Sequence, residues 1–281
     1  MRNYLSLLIL AASLAFTACV KKDQTPLYDP NEDTILMDVS YGIHPQQKMD
    51  IYLPSGRDQS TQWVVTIHGG GWDGGDKNDI EVTEEIINQL KSTFPNKALI
   101  NINYRLVDGE KNQYPAAEED VKSAVEDVIN RRFDYQIGKK HYLAGFSAGA
   151  HLAALQALKH GDGDLLGCIA VAGAYDLSGA YDLAPSETQG YLKAFLGGTP
   201  DEVEENYYQA SPMNFISPNA TKFLIFHGEE DELISVNESI KLKDKLLEQG
   251  ADVTIFTYPG GHGVPPEHLE EVMDYITDFI N

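Results

Sequence analysis

An α/β domain on a mostly parallel sheet is what this 281-residue sequence predicts, and three observations carry the prediction. From residue 47 to the C-terminus, short apolar runs alternate with stretches of helical apolar spacing, the order expected when crossover helices join the strands of one sheet. Three of the runs, 166–172, 222–227 and 252–258, are apolar enough to sit in a sheet covered on both faces. Glycine-rich turns directly follow the runs at 63–67, 141–144 and 252–258, at the carboxyl ends of strands where open α/β sheets place their chemistry. With 42% apolar and 10% aromatic residues the chain can fill one core, and the composition is that of an ordinary globular protein.

The elements follow in order. Residues 48–53 alternate like a half-buried edge strand and stop at Pro54. The run 63–67 is a strand broken by the glycines at 69–71. Residues 81–91 read as a helix with Val82, Ile86, Ile87 and Leu90 on one face, and 97–103 as the next strand. Pro115 opens a helix that carries Ala117, Val121, Ala124, Val125 and Val128 at helical spacing. A short strand at 141–144, a tight turn and a helix at 148–158 come next. The last two strands, 222–227 and 252–258, are followed by helices at 237–249 and 266–280. Parallel strands with right-handed crossovers account for one domain over 35–281.

Residues 174–220 are the exception, too long for a plain crossover loop. They carry Tyr175, Tyr181, Tyr191, Phe195, Tyr207 and Tyr208. The segment reads as a small, partly helical, cap-like excursion able to shape a pocket; a crossover helix with a decorative loop is the alternative.

Residues 1–18 have the layout of a signal peptide, with Arg2 near the start and an apolar run too short to span a membrane, which takes about 20 apolar residues. The sequence Phe16-Thr17-Ala18-Cys19 resembles a bacterial lipobox, although Phe16 departs from the usual Leu or Val. Cys19 is therefore expected to carry a lipid, and residues 19–34, polar with two prolines, to form a tether beside the membrane. The expected location is the bacterial cell envelope; the alternative is a secreted soluble protein. The only other cysteine, Cys168, lies in an apolar run and reads as a small core residue. A net charge of −22 argues against nucleic-acid binding and against drawing in an anionic substrate. A neutral ester of a sugar or small alcohol is compatible with it.

Gly145-Phe146-Ser147-Ala148-Gly149 is a G-x-S-x-G between strand and helix, the turn that pushes one serine hydroxyl out of the backbone. A serine hydroxyl is a poor nucleophile until a base takes its proton. His262 meets that need, in the glycine-rich loop 259–263 after the last strand. The imidazole in turn requires an acid on its other nitrogen. Asp231, in the acidic loop after His227-Gly228, is the expected acid, with its neighbour Glu230 as the alternative. His68-Gly69-Gly70-Gly71-Trp72 follows a strand with its backbone N–H groups accessible, so Gly70, Gly71 and Ala148 are the expected oxyanion donors. No Gly-Lys-Ser/Thr follows, which excludes a P-loop. His68 reads as a hydrogen-bonded structural residue and His151 as packed inside the helix after Ser147.

From about Tyr41 onward the chain resembles bacterial α/β-hydrolase carboxylesterases of the hormone-sensitive-lipase-like group. The residues concerned are 49–54, the glycine tract with Gly75-Asp76-Lys77, Asn103-Tyr104-Arg105-Leu106, 114–120, the serine turn, His227-Gly228 and His262. Phe146 departs from the pattern, since many relatives carry Gly or Asp there. The resemblance implies the α/β-hydrolase fold and a serine carboxylesterase with no metal or organic cofactor, acting on acetyl, feruloyl or other small-acyl or aryl esters of carbohydrates. An N-formyl amide hydrolase uses the same machinery. A glycan-binding lipoprotein on a retired scaffold is the non-catalytic alternative.

Overall fold

The computed structural model describes residues 26–78, 94, 96–218 and 220–281. The signal peptide, Cys19, the first part of the tether and the helix expected over 81–91 lie outside the described residues. Eight strands form one sheet in the order β1-β2-β4-β3-β5-β6-β7-β8. They are β1 (Thr34–Ser40), β2 (Lys48–Leu53), β3 (Trp63–Ile67), β4 (Ala98–Ile102), β5 (His141–Phe146), β6 (Leu165–Val171), β7 (Lys222–Gly228) and β8 (Val253–Tyr258). β2 runs antiparallel to both its neighbours, and the pairs from β4 to β8 are parallel. Among the described residues the helices are α1 (Ala116–Tyr135), α2 (Ala148–Lys159), α3 (Leu177–Tyr181), α4 (Ser186–Leu196), α5 (Glu204–Ala210), α6 (Asn237–Glu248) and α7 (Leu269–Ile280).

The inner strands of the sheet, β2 to β7, are buried on both faces, while the edge strands β1 and β8 are only partly covered. One core joins Ile51, Val65, Ile100, Leu143 and Ile225 to α1, α2, α6 and the excursion; the other sets Val64, Leu99, Tyr142, Leu224 and Phe226 against α7. Side chains of successive strand residues point to opposite faces, which is why apolar runs without alternation form these strands.

Two expectations at the N-terminal end are corrected. β2 is an inner strand, and β1, unmarked in the sequence, takes the edge. The alternation of β1 is broken by a register shift between Leu36 and Val39, with Asp38 at φ 53°, so no period of two was there to read. In β2 the polar Asp50 is buried and ion-paired with Lys77 at 3.0 Å rather than solvated. Residues 28–34, expected as part of the tether, belong to the domain instead. Arg57 donates to the carbonyls of Asp29 and Glu32 at 2.9 and 2.7 Å, and Tyr28 stacks on Tyr135, which holds the segment from residue 28 on the domain.

The excursion over 174–220 contains α3, α4, α5 and a 3-10 turn at Pro212–Phe215. Tyr175, Phe195 and Tyr207 are buried in the main core, whereas Tyr208 is exposed. Its aromatic residues therefore chiefly anchor the segment, and only part of it faces the cleft described next.

Candidate active site

The carboxyl ends of β3, β5, β7 and β8 each deliver one part of the site. β5 runs into Ser147, whose φ of 54° and ψ of −118° are strained for a residue with a Cβ. The turn closes only because its neighbours are small. A Cβ at Gly145 would lie 2.2 Å from the Gly149 carbonyl oxygen, and one at Gly149 would lie 2.1 Å from that of Ile67. The Ser147 N–H donates to Val171 at 2.8 Å, which ties the strained residue to β6.

Ser147 Oγ lies 2.8 Å from His262 Nε2, and His262 Nδ1 lies 2.7 Å from Asp231 Oδ2. The structure thus brings together the serine, histidine and acid expected from the sequence. Glu230, the alternative acid, points to solvent. The charge state of Asp231 decides which way the imidazole is protonated. Burial alone would raise its carboxyl, but hydrogen bonds from His227, His262 and the Ile234 N–H outweigh that and hold it well below the usual carboxylate range. An ionised carboxylate only accepts, so Nδ1 carries the proton and the Nε2 lone pair faces the serine hydroxyl.

His227 is a partner that sequence reasoning passed over. Its Nε2–H lies 2.8 Å from the Ile234 carbonyl and 3.1 Å from Asp231 Oδ2, and its Nδ1 accepts from Ser239 Oγ at 2.7 Å. In the sequence His227 shows only as a polar ring at the end of a buried strand, a group that needs a polar partner.

Gly70 and Gly71 adopt φ of 101° and 59°, and Trp72 follows at 64°. The Gly70 carbonyl accepts from Asp73 and Gly74, which folds the tract back on itself. Gly70, Gly71 and Ala148 line the same cleft as Ser147. Ala148 opens α2, where the first N–H groups have no partner within a helix, so its donor is free to face a ligand. His68 sits behind this loop with Nδ1 2.8 Å from the Gly69 carbonyl and its ring stacked on Tyr104. His151 is buried, accepting from Trp72 Nε1 at 3.2 Å and donating to the Ala210 carbonyl at 2.7 Å. Burial pulls its pKa down to about 4, so the ring is neutral and structural. His268 lies beside Phe256 and Tyr258 at the start of α7 and does not line the cleft that holds Ser147.

The cleft has a volume of about 870 Å³. Its floor is Ser147, Ala148 and the glycine tract; its walls are α4 with the segment before it and the stretch from Asp231 to Lys241. Phe146, the departure noted in the serine turn, is partly exposed on this cleft with its ring centroid 5.1 Å from that of His262. A serine hydroxyl bonded to an imidazole, a fixed carboxylate behind that ring and backbone N–H groups in the same cleft can together carry acyl transfer.

The family profile described as BD-FAE matches residues 49–246. Esterase LipQ of Mycobacterium tuberculosis is 30% identical over 177 residues, covering 58% of this chain and 41% of that protein. A kynurenine formamidase of Danio rerio is 29% identical over 182 residues, covering 65% and 57%. The chain spans about half the length of the curated relatives it matches. Among solved structures, a truncated carbohydrate esterase from gut microbiota superposes with a TM-score of 0.74 at 24% identity, over 90% of this chain and 98% of that one. The fold shared with these structures is the α/β-hydrolase fold.

Proposed function

The chain belongs to the BD-FAE family, and from that premise we propose that it is a serine carboxylesterase that hydrolyses small-acyl or aryl esters, acetyl or feruloyl esters of carbohydrates among them. One observation carries the reading: the unbroken hydrogen-bonded line from Ser147 through His262 to Asp231 opens onto a cleft large enough for both halves of an ester. Ser147 Oγ attacks the ester carbonyl carbon as His262 Nε2 takes the hydroxyl proton. The carbonyl oxygen becomes an oxyanion that accepts from the N–H groups of Gly70, Gly71 and Ala148; losing one such donor would cost about 3 kcal/mol of transition-state stabilisation. The intermediate collapses, and the departing alkoxide takes the proton from His262. Water then attacks the acyl-enzyme with His262 again as base, and the acid leaves. Asp231 remains ionised throughout and stabilises the imidazolium.

A neutral sugar ester suits the acidic chain, and the structural neighbour named a carbohydrate esterase supports the same substrate class. The formamidase among the relatives favours a second reading, in which the same acylation expels an amine from an N-formyl substrate. Labelling with a fluorophosphonate, combined with turnover of acetyl, butyryl, feruloyl and N-formyl substrates, tests both. Wild type is expected to label and to hydrolyse the esters, while Ser147→Ala does neither. Equal labelling of the two proteins rejects the hydrolase reading, and faster N-formyl than ester turnover moves the assignment to the amidase.

A further inference from the structure

α4 offers one face to the site at positions 188, 191 and 195, spaced three and four residues apart as one helical face requires. Each position grips a different part of the machinery. Thr188 Oγ1 donates to the Leu233 carbonyl at 2.8 Å, and the Leu233 N–H donates to Asp231 Oδ1 at 2.9 Å. The Tyr191 ring lies so close to Gly71 that a Cβ there would come 2.7 Å from Tyr191 Cδ1. Phe195 stacks on Trp72 with centroids 4.6 Å apart and planes 10° from parallel.

The nucleophile is set by β5 and α2; the glycine tract is folded by the bonds to its own Gly70 carbonyl, and α4 meets it at Gly71. Three consecutive residues, Gly70, Gly71 and Trp72, have positive φ, and such a run persists only where surrounding contacts over-determine it. Glycine by itself would let Gly71 visit many conformations. The ring of Tyr191 stands against that freedom, and the Phe195–Trp72 stack fixes the next residue.

We propose that Tyr191 is a positioning residue for the oxyanion site, and that α4 braces the glycine tract against the loop carrying Asp231. The proposal rests on the esterase reading above. Charge gathers on the carbonyl oxygen only in the transition state, so a misaimed Gly71 N–H slows turnover while leaving substrate binding nearly intact. Thr188 grips the acid side of the same brace, one peptide away from the Leu233 N–H that holds Asp231.

The test is steady-state hydrolysis of p-nitrophenyl acetate by wild type, Tyr191→Ala and Tyr191→Phe, with inhibition by a trifluoromethyl ketone, whose serine adduct carries an oxyanion. Tyr191→Ala is expected to lower kcat about 10- to 100-fold with KM within about threefold of wild type. Ketone affinity should weaken by a similar factor, and Tyr191→Phe should restore most of kcat because the ring is retained. If the alanine protein does not fold, Tyr191→Leu, which has bulk but no ring, is expected to show the same loss. A kcat within threefold of wild type in the folded alanine or leucine protein overturns the proposal, as does a kcat loss without weaker ketone binding. Wild type that turns over no ester would instead reject the esterase reading, so the two failures are separable.

Discussion

Asp231 accepts from more partners than an acid needs merely to orient a histidine. His262 and His227 share Oδ2, while the N–H groups of Leu233 and Ile234 occupy Oδ1. This explains why a fully buried carboxylate stays ionised, since burial without those donors would neutralise it. Two consequences follow for activity. Because Asp231 is held below the ordinary carboxylate range, it does not take up a proton in the range where histidines titrate. The acid limb of log kcat/KM against pH is therefore expected to fall with slope one down to about pH 4; a slope of two there would mean that the acid protonates together with the base. Asp231→Asn keeps the shape but offers an N–H₂ to the imidazole, which favours the wrong tautomer. By the precedent of other triads, kcat should drop on the order of 10⁴-fold, and a folded variant with more than a tenth of wild-type kcat would contradict the role. The sequence placed this residue by chain order and strand end alone. The sequence shows His227 only as a polar ring ending a buried strand; that it holds Asp231 depends on a contact with no local spacing to read.

At the level of elements, the segment that follows the glycine tract is tied to β1 and β2 by a buried cation. Lys77 lies 3.0 Å from both Asp38 in β1 and Asp50 in β2. Asn101 also donates to the Lys77 carbonyl, and Asn103 donates to Asp76. Burial alone would lower the ammonium's pKa, but hydrogen bonds to the two carboxylates raise it above its usual value, so the cation persists. Replacing one partner of a buried pair leaves the other charge unpaired, a larger loss than the pair's own net worth. Lys77→Met is thus expected to destabilise the fold by about 3–5 kcal/mol in urea unfolding, chiefly through Asp50, which is 2% exposed. A change below 1 kcal/mol would show that water reaches the site and replaces the cation. The same pair explains why β2 is an inner strand despite its alternating pattern, since a buried, ion-paired aspartate has the sequence signature of a solvated face. Strands β3 to β7 were legible within one or two residues because double-sided burial makes them largely apolar, and β8, a half-buried edge strand, because Val253, Ile255 and Phe256 mark it. β1 was not, because its bulge destroys the period, and the grip of α4 on the glycine tract was not, because contacts between distant segments leave no local pattern.

For the whole molecule, acidification pits two effects against each other. Lowering the pH protonates carboxylates and relieves the repulsion of a chain with net charge −22, which favours the compact state. Two buried groups act in the opposite sense. His151 is depressed by burial from 6.5 to about 4. The unfolded chain therefore binds its proton first, and the stability this residue confers is present above pH 6.5 and lost as pH falls toward 4. Glu118 joins α1 to the end of α2 through Lys159 at 3.0 Å and His160 at 2.6 Å. Burial pushes its carboxyl up, but hydrogen bonds from His160, Tyr114 and Lys159 win and bring it from 4.5 down to about 2. Its contribution is present above pH 4.5 and disappears between 4.5 and 2, with an upper scale on the order of 3 kcal/mol. Since general charge relief affects wild type and a single variant almost equally, their difference isolates the local group. Glu118→Gln should be less stable than wild type by a few kcal/mol at pH 7, with the gap unchanged down to about pH 5 and closing as the pH falls from 4.5 toward 2. Unfolding midpoints in urea across that range provide the measurement. A gap that stays constant to pH 2.5 would mean that Glu118 matters for its shape and packing, and that its charge contributes nothing to holding α1 against α2.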